Sequence, residues 1–341
     1  MIYNLSSICG QVQLKQQLIN LWRNQAHAVL ITGEIGSGRK LAGRVLASAY
    51  LCQKIGDVGS CGECKACRLF AEGNHPDYRE VLSDDGKRIK IKRLREEVIA
   101  ELVVKPQMTD CKVYLIDLAH IDEAAQNVLL KSLEEPPAFV RFILIVDHLR
   151  QVLPTVISRC KVLRTSPLSS VEMDEALHRY LADPISREQA NFLYQYAGGN
   201  VGRALDIYRD DVFMSLRAAA CSWFGKLASA SKSELLIDGY KFFADERNNL
   251  DVILNIWQSM WRDLALVKAD QVRLVINQDQ VPLLQAMLAD KDIDENALTN
   301  ILNKEFQVLK DLRRQLQVNV TYEHAISSFL LQSQRLVQNR K

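Results

Sequence analysis

Gly33-Glu34-Ile35-Gly36-Ser37-Gly38-Arg39-Lys40 decides the reading of this chain. Ala28-Val29-Leu30-Ile31, a short apolar run with β-branched residues, precedes it. Leu41-Ala42-Gly43-Arg44-Val45-Leu46-Ala47 follows it, with apolar residues at helical spacing. Strand, glycine-rich turn and helix in that order form the context of a phosphate-binding P-loop. The glycines Gly33, Gly36 and Gly38 let backbone N–H groups converge on an anion, and the helix N-terminus adds positive potential.

Two positions depart from a working loop. Arg39 stands where the Lys that reaches the β- and γ-phosphates belongs, and Lys40 stands where the Mg²⁺-ligating hydroxyl belongs. Arg39 can hold a phosphate, though a planar fork is not a compact ammonium. Lys40 cannot ligate a cation. Held about 4 Å from a divalent metal, it would repel it by about 8 kcal/mol at an effective dielectric of about 20. Gly36, Gly38 and Arg39 therefore leave room for weak ATP binding without hydrolysis. A strand-to-helix turn that never binds nucleotide fits the same residues.

The chain has 341 residues and a formal charge of +2. That length suggests two or three domains with real cores. The near-neutral balance excludes wholesale nucleic-acid coating, although not a local basic patch. No apolar run reaches membrane-spanning length. Met1 to Gly10 lacks the basic and apolar regions of a signal peptide. The expectation is a cytoplasmic protein without membrane association, whose eight cysteines are not disulfides. Cys9, Cys111, Cys160 and Cys221 read as buried or inert thiols.

Cys52, Cys61, Cys64 and Cys67 are different. Four soft thiolates this close together fit tetrahedral Zn²⁺, and four protein ligands leave no position for water, so the site reads as structural. Gly56, Gly59 and Gly62 supply tight turns between them. His75, before Pro76, reads as loop structure or a surface contact. The basic run Lys87, Arg88, Lys90, Lys92, Arg93 and Arg95 reads as a solvated helix face, with phosphate contact as the alternative.

Lys112-Val113-Tyr114-Leu115-Ile116-Asp117 is a buried strand ending in a carboxylate. In P-loop NTPases an Asp here helps hold Mg²⁺, and a helix-capping carboxylate is the plainer alternative. A helix from Asp122 to Glu135 stops at Pro136-Pro137, and Phe142-Ile143-Leu144-Ile145-Val146 is a further buried strand. Strands alternating with helices predict an α/β parallel sheet with helices on both faces. Phosphate sites in such sheets lie beyond the C-terminal strand ends, where Gly33, Asp117 and Asp147 fall. Ser186-Arg187-Glu188-Gln189 is a capping box, and Asn200 follows Gly198-Gly199 as the cap of a next helix. Beyond Asp211 the chain reads all-helical. One stripe joins Val252, Ile253, Ile256, Trp257, Met260, Trp261 and Leu264. A second joins Leu298, Ile301, Leu302, Phe306, Leu309, Leu312 and Leu316.

Leu129-Leu130-Lys131-Ser132-Leu133-Glu134-Glu135-Pro136-Pro137, Ser158-Arg159-Cys160, the four-cysteine insert and Gly199-Asn200-Val201-Gly202-Arg203-Ala204 together resemble the bacterial clamp-loader subunits of the AAA+ superfamily. The resemblance runs from about Gly10 to Asp206, with a weaker helical tail. The gamma/tau motor type carries an intact loop and Asp-Glu at the second motif, whereas this chain has Arg39-Lys40 and Asp117-Leu118 and is more similar to the delta-prime type. The resemblance implies an AAA+ P-loop α/β domain over 1–166 with a zinc insert at 52–67, a helical lid over 167–208 and a helical collar over 209–341. It implies a degenerate nucleotide site of Gly33, Gly36, Gly38, Arg39, Lys40, Asp117 and the lid's Arg203. It also implies, through Ser158-Arg159-Cys160, that Arg159 serves in trans as an arginine finger; with no charge on Ser158 or Cys160 to pair with it, a solvated Arg at the domain edge is the plainer alternative. The implied partners are gamma/tau motor subunits and a delta subunit, with the sliding clamp and primed DNA reached through the complex. Two other readings remain: an ATP-hydrolysing motor subunit, which the loop and second motif oppose, and a zinc-dependent DNA-binding module, which leaves Arg159 and Arg203 without a purpose.

Overall fold

Three strands carry the architecture because their sequences are apolar on both faces. They are β1 (Ala28–Thr32), β3 (Lys112–Asp117) and β4 (Val140–Val146), and almost every residue in them is buried. A strand buried on both sides belongs in the middle of a parallel sheet covered by helices. In the computed structural model, which describes residues 2–83, 87–288, 295–317 and 320–338, that is where they lie. The sheet is fully parallel, in the order β2-β3-β4-β1-β5, with β2 at Tyr78–Val81 and β5 at Lys161–Arg164 forming the edges. The expected P-loop α/β fold is therefore the observed one, with an all-helical region after it.

Alternate residues feed two cores. Val29, Ile31, Val113, Leu115, Ile143 and Ile145 pack with helices Val12–Arg23 and Arg39–Leu51. Ala28, Leu30, Tyr114, Ile116, Phe142 and Leu144 pack with helix Glu123–Glu134 and the short turns from Ile91 to Val103 on the other face. Gly43 lets helix Arg39–Leu51 lie close on the sheet, since a Cβ there would come within 2.8 Å of Leu115 Cδ1. The helices end where the sequence places their signals: Asp122 caps one through the Ala125 amide, and Cys52 closes another.

The chain divides into two compact units. One comprises Met1–Pro184 with Ala197–Leu205, and the other Ile185–Tyr196 with Asp206–Lys341. In the second unit the capping box forms, Gln189 N–H bonding Ser186 Oγ and Ser186 N–H bonding Gln189 Oε1. Its core gathers Ile253, Ile256, Trp257, Met260, Trp261 and Leu264 from helix Leu250–Lys268. On helix Glu295–Gln317, Leu309 and Leu312 are buried, but Phe306 is 58% exposed, which corrects its place in the apolar stripe. The side chains of Leu298, Ile301 and Leu302 lie outside the described residues. Among the described residues no helix is long and apolar enough to cross a membrane.

Candidate functional site

The loop after β1 turns on two glycines in left-handed conformations, Gly36 at φ 86° and Gly38 at φ 88°. Gly38 is also the N-cap position of helix Arg39–Leu51. Register puts Ile31, Ile145 and Asp117 level with one another across β1, β4 and β3. Gly33, Asp147 and Asp117 consequently share the C-terminal edge of the sheet, where the sequence placed them.

Arg39 does not face outward from this loop. Its guanidinium donates to the Gly33 carbonyl and pairs with the Asp147 carboxylate, and the two paired side chains are only 11% and 15% exposed. The positive charge that would meet a phosphate is already met by a carboxylate of the same unit. Lys40 is exposed. Asp117 Oδ1 accepts from the Ala119 amide at 3.0 Å, capping the turn Leu118–His120, and Oδ2 lies 3.3 Å from His120 Nδ1. A groove of about 400 Å³ remains beside the loop, lined among others by Thr32, Gly33, Ser37, Asp147, Thr165 and Asn200.

Asn200 does more than the sequence shows. Its Oδ1 accepts from the Arg203 amide at 3.2 Å, as a cap should, while its Nδ2 donates to the Ile35 carbonyl at 2.8 Å. The Gly202 amide donates to the Gly36 carbonyl at 2.9 Å. Two loop carbonyls are thus satisfied by the start of helix Val201–Arg209. The approach needs glycine on both sides: a Cβ on Gly202 would come within 2.5 Å of Gly36 Cα, and one on Gly36 within 2.5 Å of Asn200 Oδ1. Arg203 is exposed in the first turn of that helix, next to the loop.

The four cysteines converge. The sulfurs of Cys52, Cys61, Cys64 and Cys67 lie within 4.8 Å of one another, with Cys61 and Cys67 at 3.9 Å. Zinc–sulfur bonds of about 2.3 Å in a tetrahedron require sulfurs about 3.8 Å apart, so the cluster fits such an ion. Backbone amides already point at the sulfurs. Cys61 N–H and Lys54 N–H reach Cys52 Sγ, Cys64 N–H reaches Cys61 Sγ, and Cys67 N–H reaches Cys64 Sγ, all at 3.3–3.4 Å. The Cys64 and Glu63 amides draw the Cys61 thiol down to about 6, whereas burial pushes the Cys52 and Cys67 thiols up. Gly59 and Gly62 take positive φ as expected, while Gly56 instead forms a two-bond bridge with Gly59. His75 stands apart from the cluster: it is buried, its Nδ1 accepts from the Asp77 amide, and it is loop structure. Cys9, Cys111 and Cys221 are buried, and burial pushes the Cys111 and Cys221 thiols to about 11 and that of Cys160 to about 12.

Arg159 lies elsewhere. It follows the short helix Pro154–Ile157 and precedes β5, so it sits at the N-terminal edge of the sheet. With Ser158, Glu134 and His27 it lines a cavity of about 630 Å³. The expectation that no charge pairs with it is corrected. Arg159 Nη2 pairs with the Glu134 carboxylate, and Nη1 donates to Thr155 O at 2.7 Å and to Ser158 Oγ at 3.2 Å. The pairing was hidden because Glu134 comes from the end of another helix, next to the Pro136-Pro137 stop. In the basic run, Lys92 pairs with Glu96 and Arg93 with Glu97. Lys87, Arg88, Lys90 and Arg95 are exposed and have no acidic partner among the described residues.

Comparison with known proteins gives these residues a context. A family model described as DNA polymerase III, delta subunit, matches residues 10–169. The DNA polymerase III subunit delta' of Bacillus subtilis is 26% identical over 307 residues, covering 88% of this chain and 90% of that protein. The delta' subunit of Pseudomonas aeruginosa is 37% identical over 161 residues, 46% of this chain and 48% of that one. The tau/gamma subunit of Haemophilus influenzae is 31% identical over 318 residues, 88% of this chain and 44% of that one. The chain thus spans nearly all of the Bacillus relative and about half the length of the other two.

Proposed function

We propose that this chain, by its relatives a delta-prime-like clamp-loader subunit of DNA polymerase III, is a stator that does not turn over ATP itself and supplies Arg159 to the nucleotide site of a neighbouring motor subunit. The observation that carries this is the position of Arg159. Its own loop follows the C-terminal end of β1, whereas Arg159 lies at the N-terminal edge of the sheet, a strand's length away. Four to five residues of strand separate the two edges, roughly 13–17 Å. Arg159 therefore serves another chain's phosphate or none. Its fixed charge and planar fork suit a γ-phosphate, and fingers supplied in trans are worth about 10³–10⁵ in turnover in well-studied GTPases.

The remaining assignments follow from this role. The proposed domains are 1–166, 167–208 and 209–341, as α/β module, lid and collar. Cys52, Cys61, Cys64 and Cys67 would hold a structural Zn²⁺ whose chemistry is limited to closing the insert. The proposed partners are gamma/tau motor subunits and a delta subunit, with the sliding clamp and primed DNA engaged through the assembled complex. Lys87, Arg88, Lys90 and Arg95 are exposed cations of the basic run that could meet DNA phosphates.

Arg159→Ala tests the reading. The expected result is normal folding and assembly, with a loss of DNA- and clamp-stimulated ATPase by the whole complex. The loss is smaller than the GTPase figure because only the adjacent motor site is affected. Arg159→Lys, lacking the fork, restores part of the rate. A complex carrying the Ala variant that assembles and loads clamps at the wild-type rate removes the finger assignment.

A further inference from the structure

Both terminal nitrogens of the Arg159 fork are engaged within its own chain, while its buried Nε has no hydrogen-bond partner. One edge is held by Thr155 O and Ser158 Oγ, and the other meets the carboxylate of Glu134. A guanidinium beside a carboxylate is a neutral pair, and a neutral pair is a poor ligand for a polyanion. The two contacts are also unequal. Thr155 and Ser158 belong to the same short segment as Arg159 and orient its side chain, whereas Glu134 comes from helix Glu123–Glu134 and contributes charge. The Arg159 and Glu134 side chains are 31% and 47% exposed, so water reaches the pair and it can open.

We propose that Glu134 is the counter-charge of the finger: it holds Arg159 withdrawn in the free subunit, and Arg159 exchanges it for the γ-phosphate of a neighbouring subunit. The proposal rests on the trans role of Arg159 argued above and adds the residue that regulates it. Thr155 O and Ser158 Oγ stay in place during the exchange, so only the Nη2 edge changes partner. A γ-phosphate carries more negative charge than one carboxylate and displaces it. A neighbour holding ADP offers no such group at that position, and Arg159 returns to Glu134. Glu134 thereby makes engagement depend on the state of the neighbour's nucleotide, and it is a positioning residue, not a catalytic one.

The experiment uses the assembled complex with Glu134→Gln and Glu134→Ala, measured beside Arg159→Ala and the Glu134→Gln/Arg159→Ala double variant. The readouts are association with the motor subunit in the presence of a non-hydrolysable ATP analogue or of ADP, and ATPase without DNA. Removing a half-exposed competing carboxylate should strengthen analogue-dependent association and raise DNA-independent ATPase by up to about fivefold. Association in ADP should not change, and the double variant should behave as Arg159→Ala alone. A fall in both readouts with either Glu134 variant, an equal gain in ADP, or no change in either readout overturns the proposal. If Arg159→Ala itself leaves turnover unchanged, it is the finger reading that fails, and the two failures are told apart.

Discussion

At the scale of single residues, the loop is defined by what its charges already hold. Arg39 is neutralised by Asp147, Asp117 caps the Leu118–His120 turn, and Lys40 offers no hydroxyl. Turnover needs a liganded metal and a positioned water, and residues 40 and 118 supply neither. The isolated chain is therefore expected to show no ATP hydrolysis above background. Binding is a separate matter, because Asp147 competes with any phosphate for Arg39. Asp147→Asn should tighten ATP binding by about tenfold, equivalent to about 1.4 kcal/mol, without creating turnover. Titration calorimetry checks the gain in binding, and a steady-state assay checks the absence of turnover. A rate of about one per second that Arg39→Ala abolishes would show that the loop works after all.

At the scale of elements, the four-cysteine insert is a segment with little core of its own. None of its four sulfurs belongs to either core of the α/β unit. Its amides aim at sulfur, which stabilises thiolates and hence a metal. Protein purified under reducing conditions should carry about one zinc per chain, the ratio that four protein ligands define. Cys64→Ser should release the metal and raise hydrogen exchange over 52–67, while the strands keep their protection. Metal analysis and exchange together decide it; a zinc-free wild-type protein would leave the cluster as four thiols. The clustering of the four cysteines was legible in the sequence because their spacing is local. The edge strands β2 and β5 were not, because Tyr78–Val81 and Lys161–Arg164 are four residues each and mostly exposed or half-buried, with no apolar run to announce them.

At the scale of the whole molecule, the two compact units have separate cores, and each should have its own unfolding transition. The helical unit contains a buried carboxylate, Glu305, whose two oxygens lie 3.3 Å from Ser333 Oγ. Burial raises its pKa from 4.5 to about 7. Between those values the folded state binds more protons than the unfolded state, so stability falls as pH rises through the window, and the full penalty is present above the folded value. Glu305→Gln removes an ionisation that the fold disfavours. It should stabilise the helical unit above neutrality by on the order of 2–3 kcal/mol, an advantage that fades towards acid pH. Thermal denaturation at several pH values checks this; a variant equally stabilised across the range would mean that Glu305 does not titrate in the fold.

What the sequence determined by itself were the features written in neighbouring residues. The double-sided apolar runs of β1, β3 and β4 dictated a covered parallel sheet, the glycines of 33–38 a loop at its C-terminal edge, and the spacing from Cys52 to Cys67 a four-cysteine cluster. The tertiary structure alone decided which groups face each other across chain crossings. Asp147 answers Arg39, Glu134 answers Arg159, and Asn200 with Gly202 answers the carbonyls of Ile35 and Gly36. Phe306 turned outward from an apolar stripe for the same reason. Hydrophobic periodicity and turn chemistry act within a few residues and can be read along the chain. A charge or a hydrogen bond is satisfied by whatever the fold brings within reach, and that is set only when the strands and helices have packed.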